Sequence, residues 1–181
     1  MGFEYDLIKF FQADISPTWI SFFQTITLLG SFLGFAITFI IVFIKNKKLA
    51  VALAITFVVA SIFNHFLKMI VARARPFDTY GDIVNYGNED GLSFPSGHSL
   101  CAGIFATYLI YTLFCSSKNK WTISLGVVSI TLVVILIGLS RMVLGVHYLT
   151  DIIAGIFFGV TFAFLGILLY NILVKKWKGK K

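Results

Sequence analysis

Five long apolar runs occupy most of the chain, at about Thr18–Ile44, Leu49–Ile70, Ser99–Cys115, Trp121–Leu139 and Ile152–Val174. Each approaches or exceeds the roughly 20 residues that a helix needs to cross a hydrocarbon core. Backbone groups in lipid must be satisfied within the spanning element, and barrel strands would read as alternating segments of about ten residues, so continuous apolarity over these lengths means helices. The expected fold is all-α, a polytopic transmembrane helical bundle with about five spanning helices in a single membrane domain over residues 1–181. Composition agrees: 58% of the residues are hydrophobic and 13% charged, too few charges to cover a small soluble globule. The segment 1–17 carries Glu4, Asp6 and Asp14, has no basic leader region and is too polar for a signal peptide. Its Phe3, Leu7, Ile8, Phe10 and Phe11 predict a short helix lying at the interface.

The net charge of +7 would suggest nucleic acid in a soluble chain, but here its placement matters more. Alternate connections divide the bases unevenly. Lys45, Lys47, Lys48, Lys118, Lys120, Lys175, Lys176, Lys178, Lys180 and Lys181 fall on one side with no acid, whereas Lys9, Lys68, Arg73, Arg75 and Arg141 fall on the other with all eight acids. The basic excess stays in the cytoplasm, which predicts a multi-pass protein of the cell membrane with a cytoplasmic C-terminus. Its basic tail at 175–181 then meets anionic lipid headgroups. Membrane lipids are the expected partners, and no nucleic acid is.

Cys101 and Cys115 stand fourteen residues apart in one helix, roughly 21 Å at 1.5 Å per residue, so they cannot bridge each other and read as small packing residues. His65, inside the second run, reads as a satisfied core histidine. Gly30/Gly34 and Gly155/Gly159 have the spacing of close helix contacts, within one chain or across a homodimer. No His, Cys and carboxylate cluster has metal-ligand spacing and no nucleotide-binding loop is present, so neither metal nor cofactor is expected.

Ionisable residues near membrane depth are costly and point to function. Lys68, Arg73 and Arg75 end the second run, where Pro76 stops the helix; Ser96, Gly97 and His98 follow Pro95 and open the third; Ser140 and Arg141 close the fourth; His147 and Asp151 open the fifth. Helical hairpins bring all of these to the extracytoplasmic end. A helix begun by Ser-Gly offers free N–H groups to an anion. Lys68, Arg75 and Arg141 add three fixed positive charges, enough for a phosphate dianion. Arg73 alone reads as a snorkelling anchor. His147 and Asp151, four apart, read either as a structural hydrogen bond or as a nucleophile oriented by a carboxylate, with His98 placed to serve a leaving oxygen as acid and water as base.

Taken together, Lys68-x6-Arg75-Pro76, Pro95-Ser96-Gly97-His98 and Ser140-Arg141-x5-His147-x3-Asp151 resemble the three motifs of the type 2 phosphatidic acid phosphatase (PAP2) superfamily. The likeness runs from about residue 28 to 174. It implies a metal-independent lipid phosphatase, similar to those acting on undecaprenyl diphosphate or phosphatidylglycerol phosphate. It also implies that His147 becomes a phosphohistidine oriented by Asp151, that His98 is the acid and base, and that Lys68, Arg75, Ser96, Gly97 and Arg141 hold the phosphate. Membrane members of the family usually have six spans; here the interfacial helix or a second subunit would stand in for the first. A broad phosphatidic acid or diacylglycerol diphosphate phosphatase is the alternative within the family, and a lipid or ion translocation protein the alternative outside it. The eighteen-residue connection Phe77–Phe94 reads as a solvated connector, with a lid over the headgroup as the rival.

The charge partition predicts that cysteine placed at Asn88 is labelled by a membrane-impermeant thiol reagent on intact cells and that cysteine placed at Asn119 is protected. The reverse pattern would invert the topology.

Overall fold

The computed structural model describes residues 2–178. Lys180 and Lys181 of the basic tail lie outside the described residues. Among the described residues eight helices run α1 (Phe3–Gln12), α2 (Pro17–Thr27), α3 (Phe32–Lys45), α4 (Lys47–Val71), α5 (Pro76–Thr79), α6 (Gly97–Ser116), α7 (Lys120–Val143) and α8 (Leu149–Lys178), with a 3₁₀ turn at Leu28–Gly30. Four of these described helices are long and apolar enough to span a bilayer. A fifth span results when α2 and α3, bent by 49° at their junction, count as one. The run expected as a single span at Thr18–Ile44 is therefore broken. Ser31 leaves helical conformation and caps α3 by accepting from the Leu33 amide, which restarts the helix in a new direction. Asn46, Ser96 and Asn119 start α4, α6 and α7 in the same way. The second helix ends earlier than its proline suggests: Ala72 adopts a left-handed conformation after Val71, and Pro76 begins α5, where its missing donor costs nothing.

α6 lies at the centre, packed against α3, α4, α7 and α8. Leu53, Ala60, Leu100, Ile104, Phe105 and Ala163 fill its surroundings, and Phe35, Phe57 and Phe105 stack across three helices. Outward positions such as Ile55, Ile70, Phe157 and Leu169 expose apolar side chains, as a lipid solvent permits. Glycines set the separation of α6 from α8. A Cβ at Gly155 would lie 2.5 Å from the Ser96 carbonyl oxygen, and one at Gly159 would lie 2.2 Å from that of Leu100. Both pairs named from sequence thus make contacts within one chain: Gly30 abuts Ile137 and His98, and Gly34 abuts Leu29.

α1 has the expected helical form, but it docks on the bundle rather than only lying at an interface. Tyr5 and Ile8 are buried in a cluster with Ile83, Met142, Tyr148 and Ile152, while Phe3 and Phe10 stay exposed. Gln12 fastens its end by donating to the carbonyls of Val84 and Val143.

Three sequence readings need correction. His65 is exposed rather than in the core; Asn64, one residue and about 100° earlier on the helix, takes the inward position. Cys115 is also exposed, so only Cys101 packs inside. Finally, His147 precedes α8 in non-helical backbone, so it and Asp151 are not an i,i+4 pair on one helix.

Gly159→Val should force α6 and α8 apart, because the obstacle is backbone, and lower the stability by about 1–3 kcal/mol or more. Gly126→Ala, which meets only the flexible side chain of Leu113, should be close to neutral. Thermal unfolding in detergent compares them.

Candidate active site

The ends of α4, α6, α7 and α8 that carry the motif residues meet at one end of the bundle. A backbone bond holds the arrangement, with the Ser96 amide donating to the Asp151 carbonyl at 3.0 Å. This joins the start of α6, and so His98, to the start of α8. Ser96 is fully buried, and its side-chain oxygen accepts from the amide and hydroxyl of Ser99. Gly97 lies beside Asn64, whose amide nitrogen would be 3.6 Å from an added Cβ.

Arg75 and Arg141 are 5% and 1% exposed, a costly placement for charges that needs compensation. Arg75 donates to the carbonyls of Asp90, Gly91 and Val146 and, at 2.9 Å, to Glu89 Oε2. Arg141 donates to Thr27 Oγ1 at 2.6 Å and to Glu89 Oε1, while its Nε is buried without a hydrogen-bond partner. Lys68 donates to the carbonyls of Leu92 and Ser93. His98 Nδ1 lies 3.6 Å from Glu89 Oε1, and His147 Nε2 lies 4.0 Å from Glu89 Oε2. A single carboxylate is therefore ringed by two guanidinium groups and two imidazoles. Burial alone would raise its pKa, but Arg141, His98, His147 and Arg75 outweigh burial and hold Glu89 at about 2.

His147 is fully enclosed, and its ring is fixed from behind. Nδ1 lies 3.4 Å from Ser93 Oγ and 3.5 Å from Asp151 Oδ2, leaving Nε2 toward the ringed position. Asp151 Oδ2 accepts from the Ser93 hydroxyl and from the Tyr148 amide, and Oδ1 accepts from Arg73 at 2.7 Å. Burial pushes the His147 pKa down to about 4; the Asp151 carboxylate opposes this, and the charges of Arg141 and Arg75 add to it. At neutral pH the ring is thus unprotonated, the form a nucleophile requires.

Lys68, Arg75, Ser96, Gly97, His98, Arg141, His147 and Asp151, all singled out from sequence, lie at this end. Arg73 does not behave as a snorkelling anchor. Its guanidinium bonds Asp151, Thr150 and Glu4 at 2.7–2.8 Å and lies 3.8 Å over the Tyr148 ring. Glu4 in turn accepts from the amide and hydroxyl of Thr150, so α1 anchors the group that anchors His147. Glu4, Thr27, Glu89 and Ser93 were not found from sequence, because each reaches the site across a long separation with no local pattern. Glu4, Glu89 and Ser93 fall in segments expected on that side, whereas Thr27 lies inside the first apolar run. The connection 77–94 is no solvated connector at Glu89, and Asp82 is bonded to Tyr5 and Lys9. Among the described residues no group of three His, Cys, Asp or Glu is placed to hold a metal ion.

The family model described as PAP2 superfamily matches residues 48–176. The chain is 30% identical over 136 residues to an undecaprenyl-diphosphatase of Sulfolobus acidocaldarius, covering 71% of this chain and 58% of the relative. It is 35% identical over 108 residues to phosphatidylglycerophosphatase B of Bacillus subtilis, covering 56% and 48%. The chain thus spans about half the length of these curated relatives. A crystal structure of a transmembrane PAP2 type phosphatidylglycerolphosphate phosphatase from Bacillus subtilis shares its fold, with a TM-score of 0.79 at 24% identity over 93% of this chain and 84% of that one.

Because His147 titrates near 4 when folded and near 6.5 when exposed, the unfolded chain binds more protons between those values. His147 therefore costs nothing above pH 6.5 and lowers the stability increasingly as pH falls toward 4. Replacing His147 by Gln should flatten that part of the profile of Tm against pH, measured by scanning fluorimetry in detergent.

Proposed function

This chain belongs to the PAP2 superfamily, a membrane phosphatase family by its relatives, and on that premise we propose that it removes phosphate from a lipid phosphate or diphosphate through a phosphohistidine. The observation that carries the reading is the convergence of Arg75, Arg141, His98 and His147 on one anion-sized position occupied by a carboxylate. A phosphoryl group at that position meets fixed positive charge before reaction begins, which is where electrostatic catalysis gains most.

His147 Nε2 attacks phosphorus, the bond from phosphorus to the lipid-side oxygen breaks, and His98 gives that oxygen its proton. Asp151, held by Arg73, Ser93 and the Tyr148 amide, keeps the imidazole oriented and stabilises the positive charge it gains. Water then attacks the phosphohistidine, giving its proton to His98, and inorganic phosphate leaves as His147 is restored. Lys68, Arg75 and Arg141 hold the phosphoryl oxygens through both steps, with no metal required.

A lipid substrate is supported by what lies beneath. An apolar groove of about 220 Å³ between α3, α6 and α7 is lined by Leu29, Ile37, Phe105, Val133 and Ile137 among others. Gly30 abuts both Ile137 and His98, so the groove ends under the site. A phosphate at the interface with its chain in this groove suits undecaprenyl diphosphate or phosphatidylglycerol phosphate, substrates named for the relatives. On the charge partition we read the site as extracytoplasmic and the C-terminus as cytoplasmic.

The purified protein should release phosphate from these lipids in the presence of EDTA and be inhibited by vanadate. His98→Ala, given a substrate whose leaving group departs unprotonated, such as p-nitrophenyl phosphate, should accumulate labelled phosphoenzyme. It should slow lipid hydrolysis by about 10²- to 10⁴-fold. His147→Ala should form no phosphoenzyme. Activity lost in EDTA and restored by a divalent ion would refute the metal-free mechanism, and phosphoenzyme in His147→Ala would reassign the nucleophile.

A further inference from the structure

The three cations expected to grip phosphate, Lys68, Arg75 and Arg141, are all engaged by one five-residue stretch of the 77–94 connection. Glu89 takes Arg75 and Arg141 through its side chain, Asp90 and Gly91 take Arg75 through their carbonyls, and Leu92 and Ser93 take Lys68. Ser93 also bonds Asp151. The Glu89 side chain is 23% exposed, so it reaches the ring of cations from the open side, and the neighbouring Asn88 is exposed with positive φ. The buried Arg141 Nε has no partner in this arrangement, so the carboxylate leaves a donor in the cradle unused.

We propose that Glu89 is an internal anion that occupies the phosphate position and sets specificity, yielding to a terminal phosphate dianion and excluding phosphodiester headgroups. The inference rests on the phosphatase reading of the same site. Lys68, Arg75 and Arg141 with Glu89 carry a net charge of +2. A monoester or terminal phosphate carries about −1.5 to −2 at neutral pH, so exchanging it for Glu89 improves neutralisation and offers a further oxygen to Arg141 Nε. A phosphodiester carries one negative charge. It gains nothing over the carboxylate, and it competes with a group whose tether gives it an effective concentration of about millimolar or more. Phosphodiester lipids form the bulk of a phospholipid bilayer, so an outward-facing cradle without such a competitor would be filled by non-substrates. Specificity here is built against the wrong ligand rather than only for the right one.

The test compares the protein with Glu89→Gln in detergent micelles, with p-nitrophenyl phosphate as substrate. In the variant, inhibition by inorganic phosphate should strengthen by tenfold or more, and micelles doped with phosphatidylglycerol should become inhibitory where they leave the parent protein unaffected. Unchanged inhibition by both, or weaker inhibition by phosphate, would overturn the proposal and make Glu89 a structural brace. A second measurement keeps Glu89 in place: a spin label at Asn88→Cys, with Cys101 and Cys115 replaced by Ala, should gain mobility when inorganic phosphate or vanadate saturates the site. No change at saturation, established by thermal shift, would also overturn it. If the parent protein hydrolyses no phosphomonoester, the phosphatase reading fails. The thermal-shift affinities for inorganic phosphate of parent and variant still decide whether Glu89 competes for the anion.

Discussion

Burying like charges together is the constraint on which the site end depends. Arg75 and Arg141 are almost wholly removed from solvent, and a guanidinium in such surroundings persists only if its charge and its donors are met. The chain meets them from several elements at once: carbonyls at 90, 91 and 146, the Thr27 hydroxyl from α2, and the Glu89 carboxylate. The connection between α5 and α6 is therefore folded inward by the charges it covers. A cluster of buried cations has positive charge to spare, and the Glu89 carboxylate offsets part of it.

A second network lies behind the histidine. Glu4 on α1 holds Arg73, Arg73 holds Asp151, and Asp151 with Ser93 faces the inner nitrogen of His147. This gives the N-terminal helix a place in the geometry of the site, since Glu4 also binds the first turn of α8 through Thr150. Nearby, Tyr5 and Ile8 supply the apolar contact that docks α1. The close approach of α6 and α8 at Gly155 and Gly159 then fixes the distance between the helix starts that carry His98 and Asp151. Packing in the apolar half and polar pairing at the site end reinforce each other.

Much of this is legible in the amino-acid sequence alone. Lengths of apolarity announce the spans, and the order of the motif residues along alternating helices requires Lys68, Arg75, His98, Arg141, His147 and Asp151 to share one end. The departures fall where one residue of rotation or one turn of backbone decides the outcome. His65 and Asn64 are neighbours in sequence, and only the packing of α4 on its partners turns Asn64 inward. His147 sits just before α8, so its relation to Asp151 is made by a turn rather than by helical periodicity.

The sequence by itself determined the solvent, the helical class and the end of the bundle where chemistry is possible, because hydrophobic length and local motif spacing act within single elements. Tertiary structure alone decided which side chains complete the site. Glu4 meets Arg73 across 69 residues, Glu89 meets Arg141 across 52, and Thr27 meets the same arginine across 114. No local propensity records such pairings. They arise when the helices have packed and buried cations take the nearest oxygen that can neutralise them.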